Sequence, residues 1–253
     1  MNIESNMKRL GIIAAPGWFD PTAGEFLRSH VGEVDVTQTI MGPPGFDWSF
    51  ASIQSSERHL RDAAQLLAEA GCECIAQVGP AFAYQAGGGT VTGAHALGRR
   101  LSDAAGVPVI LNGCAVLESL DALGIRSFTA VCPYYNPEWK HQFCKFMAGA
   151  GFVIQGAKTF VDLEIITTQA DVDARRYHFA EEEVLRALYV NLAQSLGTQA
   201  LVVSGSGVRT LAWLHRVQAE INLPIVSADG ALYSAVCRAL QLPERLGNAI
   251  EIV

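Results

Sequence analysis

The residues able to do chemistry in this chain gather just after short apolar runs. Pro133-Tyr134-Tyr135-Asn136 follows one such run, Ser204-Gly-Ser-Gly207 a second and Ala228-Asp229-Gly230 a third. Gly79-Pro80-Ala81 and Pro16-Gly17-Trp18-Phe19-Asp20 hold the same position after two more. A phenol such as Tyr134 donates to a carboxylate and, as a weak acid, relays a proton; Ser204 and Ser206 donate through hydroxyls, and Asp229 offers a base. Glycine and serine let backbone N–H groups approach an anion, and a following helix adds its positive end. The combination suits a carboxylate-sized ligand. The catalytic candidates are Tyr134, Ser204 and Asp229; the substrate-binding candidates are Pro16, Gly79, Pro80, Ala81, Tyr135, Gly205, Ser206 and Gly207.

Each has a plainer reading beside it. Tyr135 competes with its neighbour, the two serines suit ordinary turns, and Asp229 suits the cap of a helix beginning at Gly230. Asp20, before Pro21, fits an N-cap or a ligand contact equally. Arg209 is expected to open a helix, where it either pairs a carboxylate or faces solvent. Trp18, Phe19, Phe82 and Tyr84 form either an apolar subsite or core, and His95 and His141 fall on helix surfaces.

Several chemistries are excluded. Ser204–Gly207 lacks the lysine of a P-loop and the spacing of a dinucleotide fingerprint, and Gly205-Ser206-Gly207 is not a nucleophile elbow. The net charge of −7 and the absence of a Lys/Arg run argue against nucleic acid. Six scattered cysteines show neither zinc nor thioredoxin spacing, which points to a reduced, cytoplasmic protein without metal or cofactor. Met1 to Lys8 is polar and Leu10–Ala15 is too short for an export signal or a membrane span, so no membrane partner is expected.

The elements that must position these residues are parallel βα units. Apolar runs ending in Gly, Pro or Ser alternate with segments of helical period. They predict strands at Leu10–Ala15, Val34–Ile40, Cys74–Val78, Val109–Leu111, Ser127–Val131, Phe152–Thr159, Ala200–Val203 and Ile225–Ser227. Helices are predicted at Ser55–Ala70, with Leu60, Ala63, Ala64, Leu67 and Ala70 inward, and at Glu182–Leu196, with Val184, Leu188, Leu192 and Leu196 inward. Gly71–Gly79 and Gly197–Gly205 repeat one pattern 126 residues apart, and Gly106-Val-Pro108 and Asn222-Leu-Pro224 repeat another 116 apart. An α/β chain of two pseudo-symmetric, doubly wound parallel-sheet halves follows, with the active site at their interface. The first half is residues 1–113 with a C-terminal helix at 229–253; the second is 114–228.

Five segments, in order, carry a resemblance: Ile12-Ile-Ala-Ala-Pro16, Val78-Gly-Pro-Ala-Phe-Ala-Tyr84, Pro133-Tyr134 with Phe146-Met147, Val203-Ser-Gly-Ser-Gly207-Val-Arg-Thr210 and Ile225-Val-Ser227. Over nearly its whole length the chain resembles the aspartate/glutamate racemase superfamily, within it the arylmalonate decarboxylase and maleate cis-trans isomerase branch. That resemblance implies two strand-end cysteines acting on a substrate's α-carbon, at the positions of Gly79 and Gly205 here, so both thiols are replaced. It further implies that Tyr134, with the amides of Ser206 and Gly207, holds a carboxylate, while Pro80 and Ala81 stand where hydroxyl residues are usual. Of the remaining cysteines, only Cys132 and Cys114 lie near strand ends.

The expected function is a cofactor-independent lyase acting on a small carboxylic acid through an enolate-like intermediate, most simply a decarboxylase of a substituted malonate or keto acid. Two alternatives stand beside it: an isomerase, racemase or hydratase using Asp229 or Cys132 as base, and a non-catalytic carboxylate-binding protein. The resemblance also makes a homodimer an expectation.

Overall fold

The computed structural model of the chain describes residues 7–17, 19–175, 178–195 and 197–244. Trp18, Leu196 and residues 245–253 of the expected C-terminal helix lie outside that set. In chain order the elements of the first half are β1 (Lys8–Ala14), α1 (Thr22–Ser29), β2 (Val34–Ile40), α2 (Phe50–Gln54), α3 (Glu57–Glu69), β3 (Cys74–Gln77), α4 (Pro80–Ala86), α5 (Val91–Ala105), β4 (Val109–Leu111) and α6 (Asn112–Ala122). The second half continues with β5 (Ser127–Cys132), α7 (Pro137–Gly149), β6 (Val153–Thr159), α8 (Gln169–Ala174), α9 (Glu181–Ala193), β7 (Leu201–Val203), α10 (Leu214–Ile221), β8 (Ile225–Ser227) and α11 (Ala228–Leu240).

Every predicted strand forms; β3, β7 and β8 are buried along their whole length, while the edge strands β2 and β6 leave part of theirs exposed. The strands build two four-stranded sheets with the same order, β2-β1-β3-β4 and β6-β5-β7-β8. All pairings are parallel, with Leu10 opposite Cys74 in one sheet and Thr129 opposite Leu201 in the other. β3 and β7, the strands of the longer sequence echo, are thus equivalent, as are β4 and β8. The final helix returns to the first sheet: Leu232, Tyr233, Val236 and Cys237 of α11 share a core with Leu10, Ile12, Cys74 and Ala76. Where α6 and α11 begin, Asn112 Nδ2 donates to the carbonyl of Ala228 at 2.7 Å, tying the halves together. No helix among the described residues is long and apolar enough to cross a membrane.

Four local expectations are corrected. The helix predicted over Ser55–Ala70 forms as α3 but starts two residues later, at Glu57, because Ser55 and Ser56 turn their hydroxyls back onto the carbonyls of Ser52 and Ile53 at 3.0 and 2.6 Å and separate it from the short helix α2. Leu60, Ala63, Ala64 and Leu67 are buried as expected, but Ala70 is exposed at the C-cap of α3. The small-residue segment after Gly79 is not a loop but α4, which Pro80 opens at its first position, where a missing N–H costs nothing. Arg209 opens no helix: its φ of +57° lies in the left-handed region, and α10 begins only at Leu214.

α4 and α6 cross at Gly113. A Cβ there would lie 2.8 Å from Ala83 Cβ and Tyr84 Cε1, and 2.9 Å from Pro80 O. Gly113→Ala therefore pits a helix-propensity gain of about 1 kcal/mol against overpacking of about 1–3 kcal/mol. The expected outcome is a lower urea midpoint; a stabilised variant would contradict this close crossing.

Candidate active site

With the end of β7 behind the two tyrosines after β5, the carboxyl ends of β1, β3 and β5 converge on one crevice between the halves. Its inner part is a cavity of about 10 Å³, space for about one water-sized molecule. Ala15, Gly79, Pro80, Ala81 and Phe82 line it from the first half, and Tyr134 and Tyr135 from the second. Outside it opens a vestibule of about 660 Å³ whose walls include Gly17, Asp47, Asn136, Glu138, Gln169 and Asp173. Trp48, Tyr134 and Trp139 belong to both spaces and separate them. The two tryptophan rings meet at 6.2 Å, and Trp139 lies edge-on to Tyr135 at 5.7 Å.

Both strand-end glycines have backbones that favour glycine, with φ of +99° at Gly79 and +127° at Gly205. Their surroundings differ. A Cβ on Gly79 would meet Phe82 Cδ2 at 3.1 Å, a tight but yielding contact. On Gly205 it would lie 2.8 Å from Tyr134 Cε1 and Cζ and 2.9 Å from the phenol oxygen. The Tyr134 ring thus fills the space that a side chain at position 205 would need. Its hydroxyl donates to the carbonyl of Ser206 at 3.3 Å.

Behind this ring, Ser204 Oγ donates to Tyr135 OH at 3.0 Å. Burial raises the Tyr135 and Tyr84 phenols above their ordinary pKa; the Cys132 thiol adds to both shifts, and Tyr135 and Tyr134 add to that of Tyr84, while hydrogen bonds with Ser204 and Tyr84 offset part of the rise at Tyr135. Both phenols therefore favour the neutral form. Ser206 Oγ is buried without a hydrogen-bond partner.

Asp229 lies in the first turn of α11, fully buried. It is not the cap, a role taken by Ser227, whose Oγ accepts from Gly230 N at 3.0 Å. Its own oxygens accept from Gly207 N at 2.8 Å and Val208 N at 3.1 Å. The Gly207 amide, expected to hold a ligand carboxylate, is therefore already engaged within the protein. Burial first, then the charges of Glu25 and Asp20, raise Asp229 well above the carboxylate range. Asp20 Oδ1 accepts from Thr22 N at 2.8 Å, a turn-closing role, and Glu25 accepts from Tyr233 OH at 2.9 Å.

None of the thiols is activated. Burial raises all six, to about 12 for Cys74, Cys114 and Cys237 and well above the ordinary value for Cys132, the opposite of what a nucleophilic or basic thiolate needs. No group of His, Cys, Asp or Glu among the described residues has the arrangement of a metal site.

Of the residues singled out from the sequence, Gly79, Pro80, Ala81, Tyr134 and Tyr135 face the inner cavity. Pro16 is buried between Ala15, which lines the inner space, and Gly17, which lines the outer one. Ser204, Gly205, Ser206 and Gly207 sit behind Tyr134, and Asp229 one layer deeper. Phe82 and Tyr84 are buried, Phe19 is exposed, and His95 and His141 lie on α5 and α7. The sequence reading missed Trp48 and Trp139. Trp48 follows the edge strand β2, and inspecting the ends of edge strands as well as central ones would have found it. Gly205→Ala should force Tyr134 out of its position and strain the backbone, lowering stability by about 1–3 kcal/mol; tyrosine fluorescence and urea unfolding report both effects, and an unperturbed variant would contradict the contact.

Residues 47–249 match the arylmalonate decarboxylase family. No curated protein matches the chain. Among solved structures, the fold superposes on a crystal structure of arylmalonate decarboxylase with a TM-score of 0.74 at 19% identity over 92% of each chain. It also superposes on the maleate isomerase of Pseudomonas putida S16, with a TM-score of 0.74 at 16% identity over 94% of each chain. A Nocardia farcinica maleate cis-trans isomerase variant with a covalently bound succinylcysteine intermediate gives a TM-score of 0.71 at 19% identity over 94% of each chain. With four fifths of its length matched and two mirrored sheets meeting at their strand ends, this chain belongs to the arylmalonate decarboxylase family.

Proposed function

We propose that the protein is a carbon–carbon lyase that decarboxylates a small carboxylic acid, such as a substituted malonate or keto acid, with Tyr134 in place of a thiol as the proton donor. One observation carries this reading: the phenol occupies the space over Gly205 where the resemblance puts a cysteine, and the glycine leaves no room for one. The raised pKa values of all six thiols support it independently, since a covalent cysteine route like that of the Nocardia isomerase needs a thiolate.

The chemistry follows from the lining. Once Trp48 and Trp139, which separate the inner space from the vestibule, part to admit a carboxylate, Pro80, Ala81 and Phe82 complete apolar walls that strip water from the leaving group and weaken its bond to the α-carbon. That C–C bond breaks, CO2 departs, and its electron pair spreads onto the remaining carbonyl or carboxylate. Tyr135, kept neutral by burial and already accepting from Ser204, retains its own proton to donate to this developing oxyanion. A donor so placed is worth about 3–4 kcal/mol in the transition state. Tyr134 then passes its hydroxyl proton to the carbon, and the phenolate recovers a proton from water in the vestibule.

CO2 release across a panel of substituted malonates and 3-keto acids tests the reading. Tyr134→Phe should lower kcat by at least about tenfold, and unchanged turnover would remove the mechanism. Deuterium uptake at the α-carbon without CO2 would make the protein an isomerase or racemase. Binding across the panel without turnover would make it a non-catalytic carboxylate receptor.

A further inference from the structure

We propose that Asp229 is a positioning residue for Tyr134, acting through the Ser206–Gly207 peptide; the inference rests on the role given to Tyr134 above. The carbonyl that accepts from the phenol and the N–H that donates to Asp229 are two ends of the same amide. In a trans peptide they point in opposite directions. Asp229 Oδ1, 2.8 Å from Gly207 N, and Tyr134 OH, 3.3 Å from Ser206 O, thus lie on a single hydrogen-bonded line running through one polarisable group.

Two consequences follow. A negative charge at the N–H end draws density toward the carbonyl oxygen and makes it a stronger acceptor, so the carboxylate strengthens the hold on the phenol. The same contact fixes the plane of an amide that has little else to fix it: Gly205, Gly207 and Arg209 all have positive φ, at +127°, +76° and +57°, within an irregular segment between β7 and α10. The second oxygen of Asp229, on Val208 N, prevents rotation about the first contact. Ser227, beside it, extends the clamp by its 2.8 Å contact with Thr210 Oγ1.

The carboxylate form is the one that accepts two amides; a proton on either oxygen turns an acceptor into a donor facing an N–H. The groups facing Asp229 are Glu25, Asp20 and Tyr233, with Arg28 and Arg209 acting on Glu25. Burial and the two carboxylates favour the proton, so the clamp releases on acidification above the ordinary carboxylate range.

The test has a part that needs no turnover. In protein labelled at Tyr Cζ and backbone 15N, the Tyr134 and Gly207 signals should titrate together with one midpoint, and Asp229→Asn should abolish that shared transition. A Tyr134 signal that ignores both pH and Asp229→Asn overturns the proposal, whether or not any substrate is turned over. If Asp229→Asn does not fold, the wild-type titration alone decides. With a malonate that the wild type decarboxylates, Asp229→Asn should lower kcat by about tenfold with KM within about twofold and remove the acid limb of the kcat profile. In a Tyr134→Phe background the same change should have no further effect on kcat. Equal losses in both backgrounds, or an acid limb that persists, would make Asp229 merely structural. Absent turnover with intact NMR coupling would sink the lyase reading and leave this one standing.

Discussion

The contact between the Tyr134 ring and the α-carbon of Gly205 is the constraint on which the site depends. A Cβ at that glycine would come within 2.8 Å of two ring carbons. The phenol and any side chain at position 205 are therefore mutually exclusive, and a chain that has one cannot have the other without moving its backbone. The Tyr134 ring, carried by the end of β5, fills the space beside Gly205 at the end of its sheet neighbour β7. The resulting pocket is narrow and apolar inside and polar outside, with two tryptophans between.

Tyr134 and Gly205 meet within the second sheet, where β5 and β7 pair in parallel and their carboxyl ends lie side by side. With the order β2-β1-β3-β4 repeated as β6-β5-β7-β8, the central strands β1 and β3 face β5 and β7, and the loop after each is the shortest path into the shared crevice. α11 reinforces the arrangement. It grows from β8 in the second sheet yet buries Leu232, Tyr233, Val236 and Cys237 against the first, so its N-terminus, with Asp229, stands where the halves meet. Burying those four side chains also anchors Asp229 in a frame that belongs to both sheets.

The central strands were legible because parallel strands buried on both faces read as apolar runs, as in Cys74-Ile-Ala76 and Leu201–Val203. The strand-end rule then placed Gly79, Pro80, Ala81, Tyr134 and Tyr135 at the crevice without further help. Local chemistry failed where the competing partner is distant in sequence. Asp229 next to Ser227 and Gly230 resembles a helix cap, and only the fold brings Gly207 and Val208 to it from 22 and 21 residues away. Arg209 looked like a helix opening because nothing in its neighbours announces a left-handed backbone. Trp48 escaped notice because it ends an edge-strand connection, where the sequence Gly42-Pro-Pro-Gly45 reads as simple loop. The exclusion of Tyr134 and a residue-205 side chain was invisible in the sequence, since the pairing of β5 with β7 brings together residues 71 positions apart.

Asp229 also raises the question of why a chain keeps a carboxyl so deeply buried. Moving an ionised group out of water costs several kcal/mol even after relaxation, and here Glu25 and Asp20 add repulsion rather than relief. Two backbone amides offset part of that cost, one on each carboxylate oxygen, where an asparagine would turn an N–H donor toward one of them. Packing alone does not account for the acid. What an acid supplies and an amide does not is charge delivered to one end of a peptide whose other end meets the phenol proposed to react. Strain and unfavourable charge gather where they serve a site, and the Ser206–Gly207 peptide links this acid to Tyr134 through two hydrogen bonds.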